Sequence, residues 1–515
     1  MSNEKEYIVV VNRGVDLTEF DQEMSSEYGA SSAIPSRAIE VANARPGSKR
    51  MTHWMLSDDE AEQLLNDERV LSVEIPPDQR NDIQIGIKAT QTSDFTKPSA
   101  LDSDKVNWGL RRCIEATNIY SNGTTASNEY PYALDGTGVD VVIQDSGLQV
   151  DHPEFVGRVQ QIDWYTESGL PGSQNVNHYR DFDGHGTHCA GIAAGKTYGW
   201  AKNANVYAQK LAGLEAPSDP NSGIPISDAF DAIRLWHAAK TNGRPTIVNM
   251  SWGYSASVGG SPTGGNYRGT GWTWGVDYTA NLALWQATGI VIPISGANRI
   301  IPVRVPSVDA EIEDMIDAGI HVVIAAGNDY YKGDVLGGAD YDNTVVYGGS
   351  TYYYHRGSSP HSDEAIIVGN SDSVAQQSGA NFLDKTSNSS SRGPRLTCYA
   401  PGTNIISTCS TTSIYATGDY TPDTNYKIAL INGTSMAAPQ VAGVIAQYLT
   451  VQPTLSPKNV KDKILNESKP TLFSTGSDSD YSEFGTSLLG APNKFLYSKY
   501  GRQPYNISGG VTITK

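Results

Sequence analysis

Three side chains far apart in the sequence carry the groups needed for nucleophilic hydrolysis. Asp145 lies in "DSG", His185 in "DGHGTHCAG" and Ser435 in "INGTSMAAPQVAG". A serine hydroxyl is a weak nucleophile at neutral pH until an imidazole takes its proton. The imidazole in turn needs a carboxylate to fix its tautomer. Each residue alone has a plainer reading. An Asp before Ser-Gly at a strand end is a turn, and a histidine among glycines is a loop residue. A Gly-Thr-Ser corner before an apolar run is a helix N-cap, with Pro439 tolerated in the first turn where its missing donor is not needed. The three together, in the order Asp-His-Ser, favour the chemical reading. A serine at a helix N-terminus also gains from the dipole and the free N–H groups there. A lipase-type hydrolase is excluded, because the chain has no G-x-S-x-G elbow and its order is Asp-His-Ser.

Those groups can meet only if the elements around them bring them to one rim. From Val139 the chain alternates strand-like and helix-like stretches. "VDVVIQDSG" reads as a buried strand, "HGTHCAGIAAG" as a small-residue helix, "NVYAQKLAG" as a strand and "DAFDAIRLWHAAK" as a helix. "TIVNMSWG", "AEIEDMIDAG", "HVVIAAGN", "EAIIVGNSD" and "KIALINGTS" continue the pattern. The fold expected is α/β, a mainly parallel sheet flanked by helices on both faces, with sites at the strand C-terminal ends. Gly, Ser, Thr and Tyr crowd residues 253–307 and 329–364, which read as long surface insertions.

The bulk composition narrows the partners. The chain has 515 residues, 38 basic and 56 acidic, for a net charge of −18. Neither nucleic acid nor an anionic membrane is expected as partner, since both select for basic patches. The apolar run Tyr7–Val11 is too short for a signal-peptide core, and no stretch of 18 apolar residues occurs. The expectation is a soluble protein that works where it is made or travels by another route, such as inside an assembled particle. Four cysteines are too few for a disulfide scaffold. Cys398 and Cys409 are close enough in sequence to bridge, and two free thiols are an equal alternative.

With "DSG", "HGTH" and "GTSMAAP" in place, residues 107–500 resemble a subtilisin-like serine endopeptidase, a subtilase. "DHPEFVGR" (Asp151–Arg158) and "GHGTHCAG" are most similar to its proteinase K branch. The resemblance implies a catalytic triad of Asp145, His185 and Ser435. "AAGN" (Ala325–Asn328) matches the family's oxyanion asparagine, so Asn328 and the Ser435 N–H are the implied oxyanion donors. "SWG" (Ser251–Gly253) resembles the substrate-binding edge strand. Ser251, Trp252 and Gly253, with Ala326 and Gly327, are the implied substrate-binding positions for a polypeptide. His188 has no implied chemistry, and Cys189 is expected as a buried thiol under the catalytic base. No organic cofactor is implied. Gln440 stands where many relatives carry histidine. "RLTCY" before "APG" lacks the acidic residue that ligates calcium in the proteinase K branch, so a structural calcium is left open with no site identifiable.

Residues 7–78 read as a small α+β unit. "YIVVV" and "MTHWML" are strands, Leu17–Tyr28 is a helix, and "SDDEAEQLLNDERV" is a helix opened by a Ser57–Glu60 capping box. "LSVEIPPD" is a strand stopped by prolines. This unit (residues 1–78) resembles the family's propeptide inhibitor, which would make it an intramolecular inhibitor. Residues 79–107, polar and without periodicity, read as an exposed linker that carries the processing site. Residues 108–515 complete the expected catalytic domain, beginning near "VNWGLRR" (Val106–Arg112). The rival reading is a virion or particle component that retains a protease fold, with or without activity.

Overall fold

The structure, a computed structural model, describes residues 4–26, 34, 37–43, 48, 50–76, 88–120, 128–215, 222–293, 297–474 and 487–501. Its residues group into two compact units, one up to residue 86 and one from 87 to 503. In the first, β1 (Lys5–Val11) turns Tyr7, Val9 and Val11 into a core with Phe20, Trp54, Leu56 and Leu64. α1 (Leu17–Met24) starts at Asp16, whose carboxylate accepts the N–H groups of Thr18 and Glu19. It closes at Met24, where Ser25 Oγ bonds the Asp21 carbonyl; Tyr28, the expected end, lies outside the described residues. β2 (Val41–Asn43) and β3 (Met51–Leu56) follow. α2 (Asp58–Leu64) opens with the expected capping box. Glu60 N–H donates to Ser57 Oγ, and Ser57 N–H donates to the Glu60 carboxylate. With β4 (Val70–Glu74) the sheet order is β2-β3-β1-β4, antiparallel throughout.

In the second unit, β5 (Asp140–Asp145) is buried at all six positions. That is the signature of a strand covered on both faces, unlike the alternation of a half-exposed one. Burying its Val141, Val142 and Ile143 contributes roughly 1.5–3 kcal/mol each. The sheet continues through β6 (Val159–Gln160), β7 (Asn205–Lys210), β8 (Thr246–Met250), β9 (His321–Ala325), β10 (Ile366–Ser371) and β11 (Cys398–Pro401). All seven strands are parallel, in the order β11-β10-β9-β8-β5-β7-β6. The chain leaves β5 towards β6 and β7 and then returns to β8 on its other side. β5 and β8 therefore flank a switch point, where crevices open at strand C-termini.

Two helices pack on this sheet and matter most for the site. α3 (His185–Ala194) and α4 (Thr434–Val451) are almost wholly buried. Their small residues allow close approach. A Cβ on Gly443 of α4 would meet the Ala193 carbonyl oxygen of α3 at 2.8 Å.

Several features differ from the sequence reading. Residues 88–107 are not an exposed linker. Ala89–Thr92 pairs antiparallel with Glu129–Tyr132, and Phe95 is fully buried. Lys97 is enclosed between the rings of Trp108 and Tyr120, at 4.7 and 4.6 Å. A polar segment can fold this way because side chains such as Gln91, which donates to the Thr197 carbonyl, serve as tethers. Residues 79–87 lie outside the described residues. "KIALINGTS" does not continue the parallel sheet. Lys427–Ile431 pairs antiparallel with Ile405–Cys409 in a separate three-stranded sheet. The insertions are more than surface loops. Strands Thr270–Thr273, Gly264–Tyr267, Thr344–Tyr347 and Ser350–Tyr352 form an antiparallel sheet over a core that includes Trp272, Ile301, Val345 and Tyr354. Arg268 from the first insertion and Lys332 from the second both pair with buried Asp340. Cys113, Cys189, Cys398 and Cys409 are all free thiols, so Cys398 and Cys409 do not bridge.

Candidate active site

Asp145 is the last residue of β5, Ser251 directly follows β8, and His185 is the first residue of α3. His185 Nδ1 lies 2.8 Å from Asp145 Oδ1. A carboxylate can only accept here, so Nδ1 carries the hydrogen and Nε2 is left as the basic nitrogen. The start of α3 is fixed by a residue the sequence reading missed, Asp181. Its carboxylate accepts the N–H groups of Asp183, Gly184 and Thr187 and the hydroxyls of Ser146 and Thr187. Gly184 caps the helix at φ 94° and has no side chain to satisfy these donors. Asp181 supplies the cap from three residues upstream, and its place in "DFDGHGTH" was the available signal.

Ser435 is the second residue of α4, so its N–H has no intrahelical acceptor. Its Oγ donates to the Ser251 carbonyl at 3.0 Å, and Ser251 Oγ donates back to the Ser435 carbonyl at 3.0 Å. Pro439 explains the second bond. It is the sixth residue of the helix, not a first-turn residue, and it stands four after Ser435, so it removes the N–H that would have bonded the Ser435 carbonyl. That freed acceptor is taken by Ser251 Oγ and by the Cys189 thiol at 3.3 Å. The Cys189 thiol also lies 3.8 Å from His185 Nδ1, beneath the ring as expected. Burial pushes its pKa up, so it is a neutral thiol.

Asn328 stands three residues beyond the end of β9. Its Oδ1 accepts the Thr434 N–H at 2.8 Å and the Thr434 hydroxyl at 3.1 Å. Those two donors identify the oxygen and leave Nδ2 to donate elsewhere. Thr434 is a second residue whose part the sequence reading missed, although "GTS" contains it. Asp145, His185, Ser251 and Trp252 line one cleft of about 410 Å³, walled further by Leu214, Ile414 and Tyr415. Gly253 packs beside Ser358 and Ser359. Ala326 N–H is engaged by the Val368 carbonyl. Gly327 donates to Thr434 Oγ1 and accepts from the Ser391 N–H, so both its backbone groups are used inside the protein.

His188 points away from this chemistry. Its Nε2 faces the carbonyls of Ile405 and Ala429 at 3.2 and 3.1 Å and ties two strands of the antiparallel sheet to α3. Burial lowers its pKa to about 3, so it stays neutral. Gln440 exchanges two hydrogen bonds with buried Asn107, at 3.0 and 2.9 Å, and accepts from Trp200 Nε1 at 2.7 Å. A side-chain amide offers a donor and an acceptor on adjacent atoms, which this pairing needs and an imidazole does not provide. Among the described residues, the side chains grouped closely enough to share an ion are Asp145, His185 and Cys189. One oxygen, one nitrogen and one sulfur do not make the all-oxygen set that calcium takes.

Burial disfavours the charged form of His185, but the Asp145 carboxylate beside it, through its charge and its hydrogen bond, raises the pKa well above the ordinary 6.5. A base must be neutral to accept a proton, so kcat/KM should fall as pH drops through a limb lying above 6.5. The stability contributed by the pair runs the other way. It is fully present below the unfolded-state value and is lost as pH rises through the raised folded-state value. A pH–rate profile and melting temperatures across the same range check both signs. An acid limb near pH 4 would contradict the assignment.

The family model for peptidase S8, the subtilase family, matches residues 136–486. The subtilisin-like serine protease Pen c 2 of Penicillium citrinum is 28% identical over 407 residues, covering 78% of this chain and 68% of that protein. The subtilisin-like serine protease Cur l 4.0101 of Cochliobolus lunatus is 30% identical over 413 residues, covering 79% and 62%. The chain thus spans about two thirds or less of these relatives. A solved cold-adapted subtilisin-like serine proteinase aligns with 76% of this chain and 98% of its own, at 21% identity and a TM-score of 0.46. The matched region takes in Asp145, His185, Asn328 and Ser435, and the chain belongs to the subtilase family.

Proposed function

We propose that the protein is a serine endopeptidase that cuts polypeptide chains, with Ser435 as nucleophile, His185 as general base and Asp145 as the group that fixes the base. The observation that carries this reading is the 2.8 Å contact of Asp145 Oδ1 with His185 Nδ1, in the cleft that Ser251 also lines. Proton transfer requires the Ser435 hydroxyl to leave the Ser251 carbonyl for His185 Nε2. Substrate binding assists, because a peptide N–H can take over that carbonyl. The attacked carbonyl oxygen becomes an oxyanion, which the Asn328 Nδ2 and the Ser435 N–H are suited to receive. One such donor is typically worth about 3–4 kcal/mol of transition-state stabilisation. The extended substrate would pair with the Ser251–Gly253 edge by β-augmentation. No helix among the described residues is long and apolar enough to cross a membrane.

The N-terminal unit is proposed to be an inhibitory propeptide. A tethered segment meets its own cleft at high effective concentration, so it inhibits even with modest intrinsic affinity. The processing point proposed lies upstream of residue 88, a narrower range than the linker read from the sequence. Residues 88–107 contribute a paired strand, buried Phe95 and the Asn107–Gln440 amide pair to the catalytic unit. Purified protein should therefore cleave an unfolded polypeptide, lose that activity to a fluorophosphonate, and carry a new N-terminus upstream of Lys88. An N-terminus between 89 and 107, or an intact chain that cleaves added polypeptide freely, would contradict the propeptide part. Cleavage insensitive to the fluorophosphonate would contradict the serine mechanism.

A further inference from the structure

Asn328 is followed by a turn in an uncommon conformation. Tyr330 has φ 70°, in the left-handed region that bulky side chains rarely adopt, so neighbouring groups must hold it there. On one side the chain at 389–392 does so. Ser391 N–H donates to the Gly327 carbonyl at 2.9 Å, Tyr330 N–H to the Ser389 carbonyl at 3.2 Å, and Arg392 N–H to the Tyr331 carbonyl at 3.0 Å. On the other side stands one residue of the first insertion, Arg299. Its Nη2 donates to the Asp329 carbonyl at 2.5 Å and its Nε to the Tyr331 hydroxyl at 3.0 Å. Its guanidinium lies 4.7 Å from the Tyr331 ring centre and 5.4 Å from that of Tyr330.

Arg299 sits on strand Asn298–Pro302, which pairs antiparallel with Ser255–Gly259. That ribbon leaves the cleft two residues after Gly253 and returns its arginine to the residue directly after Asn328. The insertion thus links the substrate-binding edge to the turn that carries the oxyanion amide. Thr434 fixes how the Asn328 amide is rotated. The turn fixes where it stands.

We propose that Arg299 is a positioning residue for the oxyanion donor. By holding the Asp329 carbonyl and both tyrosine rings, it sets the position from which Asn328 Nδ2 meets the developing charge. The inference rests on the oxyanion reading of Asn328. An oxyanion contact is stronger in the transition state than in the bound substrate, so misplacing the donor acts on kcat and spares KM. Small misplacements at a reacting centre cost up to about a hundredfold.

The test is a double-mutant cycle on peptide hydrolysis. Arg299→Ala should lower kcat roughly ten- to a hundredfold with KM nearly unchanged. Arg299→Lys, which keeps one donor for the Asp329 carbonyl, should recover part of the loss. Asn328→Ala should lower kcat by about 10²–10³, and adding Arg299→Ala to it should cost nothing further, because there is no donor left to misplace. The same loss in both backgrounds, or an unchanged kcat in Arg299→Ala, would overturn the positioning role. If Arg299→Ala does not fold, Arg299→Lys carries the same cycle with the same reading. A wild-type kcat in Asn328→Ala is a different result, which removes the oxyanion reading and the positioning role with it.

Discussion

Replacing Ser435 with alanine is expected to lower kcat for peptide hydrolysis by about a millionfold, to the level that binding and oxyanion stabilisation alone provide. The size follows from what is removed. Without the hydroxyl no acyl-enzyme can form, and neutral His185 has no proton to take from a positioned nucleophile. The fold should survive the change. The lost Oγ donates a 3.0 Å bond to the Ser251 carbonyl, while the Ser435 carbonyl keeps its partners in Ser251 Oγ and Cys189. The melting temperature of the catalytic unit should therefore stay near wild type, and the chain should remain unprocessed. Undiminished turnover would remove Ser435 from the mechanism.

The second large effect is expected from Asp145→Asn, a loss of about 10⁴ in kcat with the geometry of the site retained. Asp145 Oδ1 accepts from His185 Nδ1 and also from the Ser146 N–H at 2.7 Å. An asparagine that keeps its oxygen at that shared position can hold both bonds but carries no negative charge, so the imidazolium formed when His185 takes the serine proton loses its counter-charge. The charge that raises the His185 pKa is lost in the same step, so the acid limb of the surviving activity should move down in pH. Rates and pH profiles of the variant measure both consequences. A loss below tenfold with an unmoved limb would contradict the role given to Asp145.

What could be read in advance is unevenly distributed along the chain. The placement of Asp145 at a strand end and of His185 and Ser435 at helix starts was legible because short glycine-rich motifs mark such corners. A mainly parallel sheet was legible from its buried runs, such as "DVVIQD". Asp181 was not, because a cap supplied from three residues upstream across a loop leaves no period in the sequence. Residues 88–107 were misread because their order comes from partners outside the segment, Gln440 for Asn107 and Trp108 with Tyr120 for Lys97. Lys427–Ile431 was assigned to the parallel sheet because periodicity gives strand character and not strand partner. The insertions hid their own core in a Gly- and Tyr-rich composition, since aromatic side chains such as Trp272 and Tyr354 share it with aliphatic ones such as Leu284 and Val345. Gln440 looked like a departure in isolation and is accounted for by Asn107, 333 residues away in sequence.

One serine, activated from the strand-end cleft, is proposed to do the chemistry. Incubating the protein with a fluorophosphonate and mapping the modified residue by mass spectrometry tests it most directly. A single adduct on Ser435, absent when His185 is changed to alanine, is expected. An adduct on another residue, or full peptidase activity in a protein that takes up no label, would contradict it.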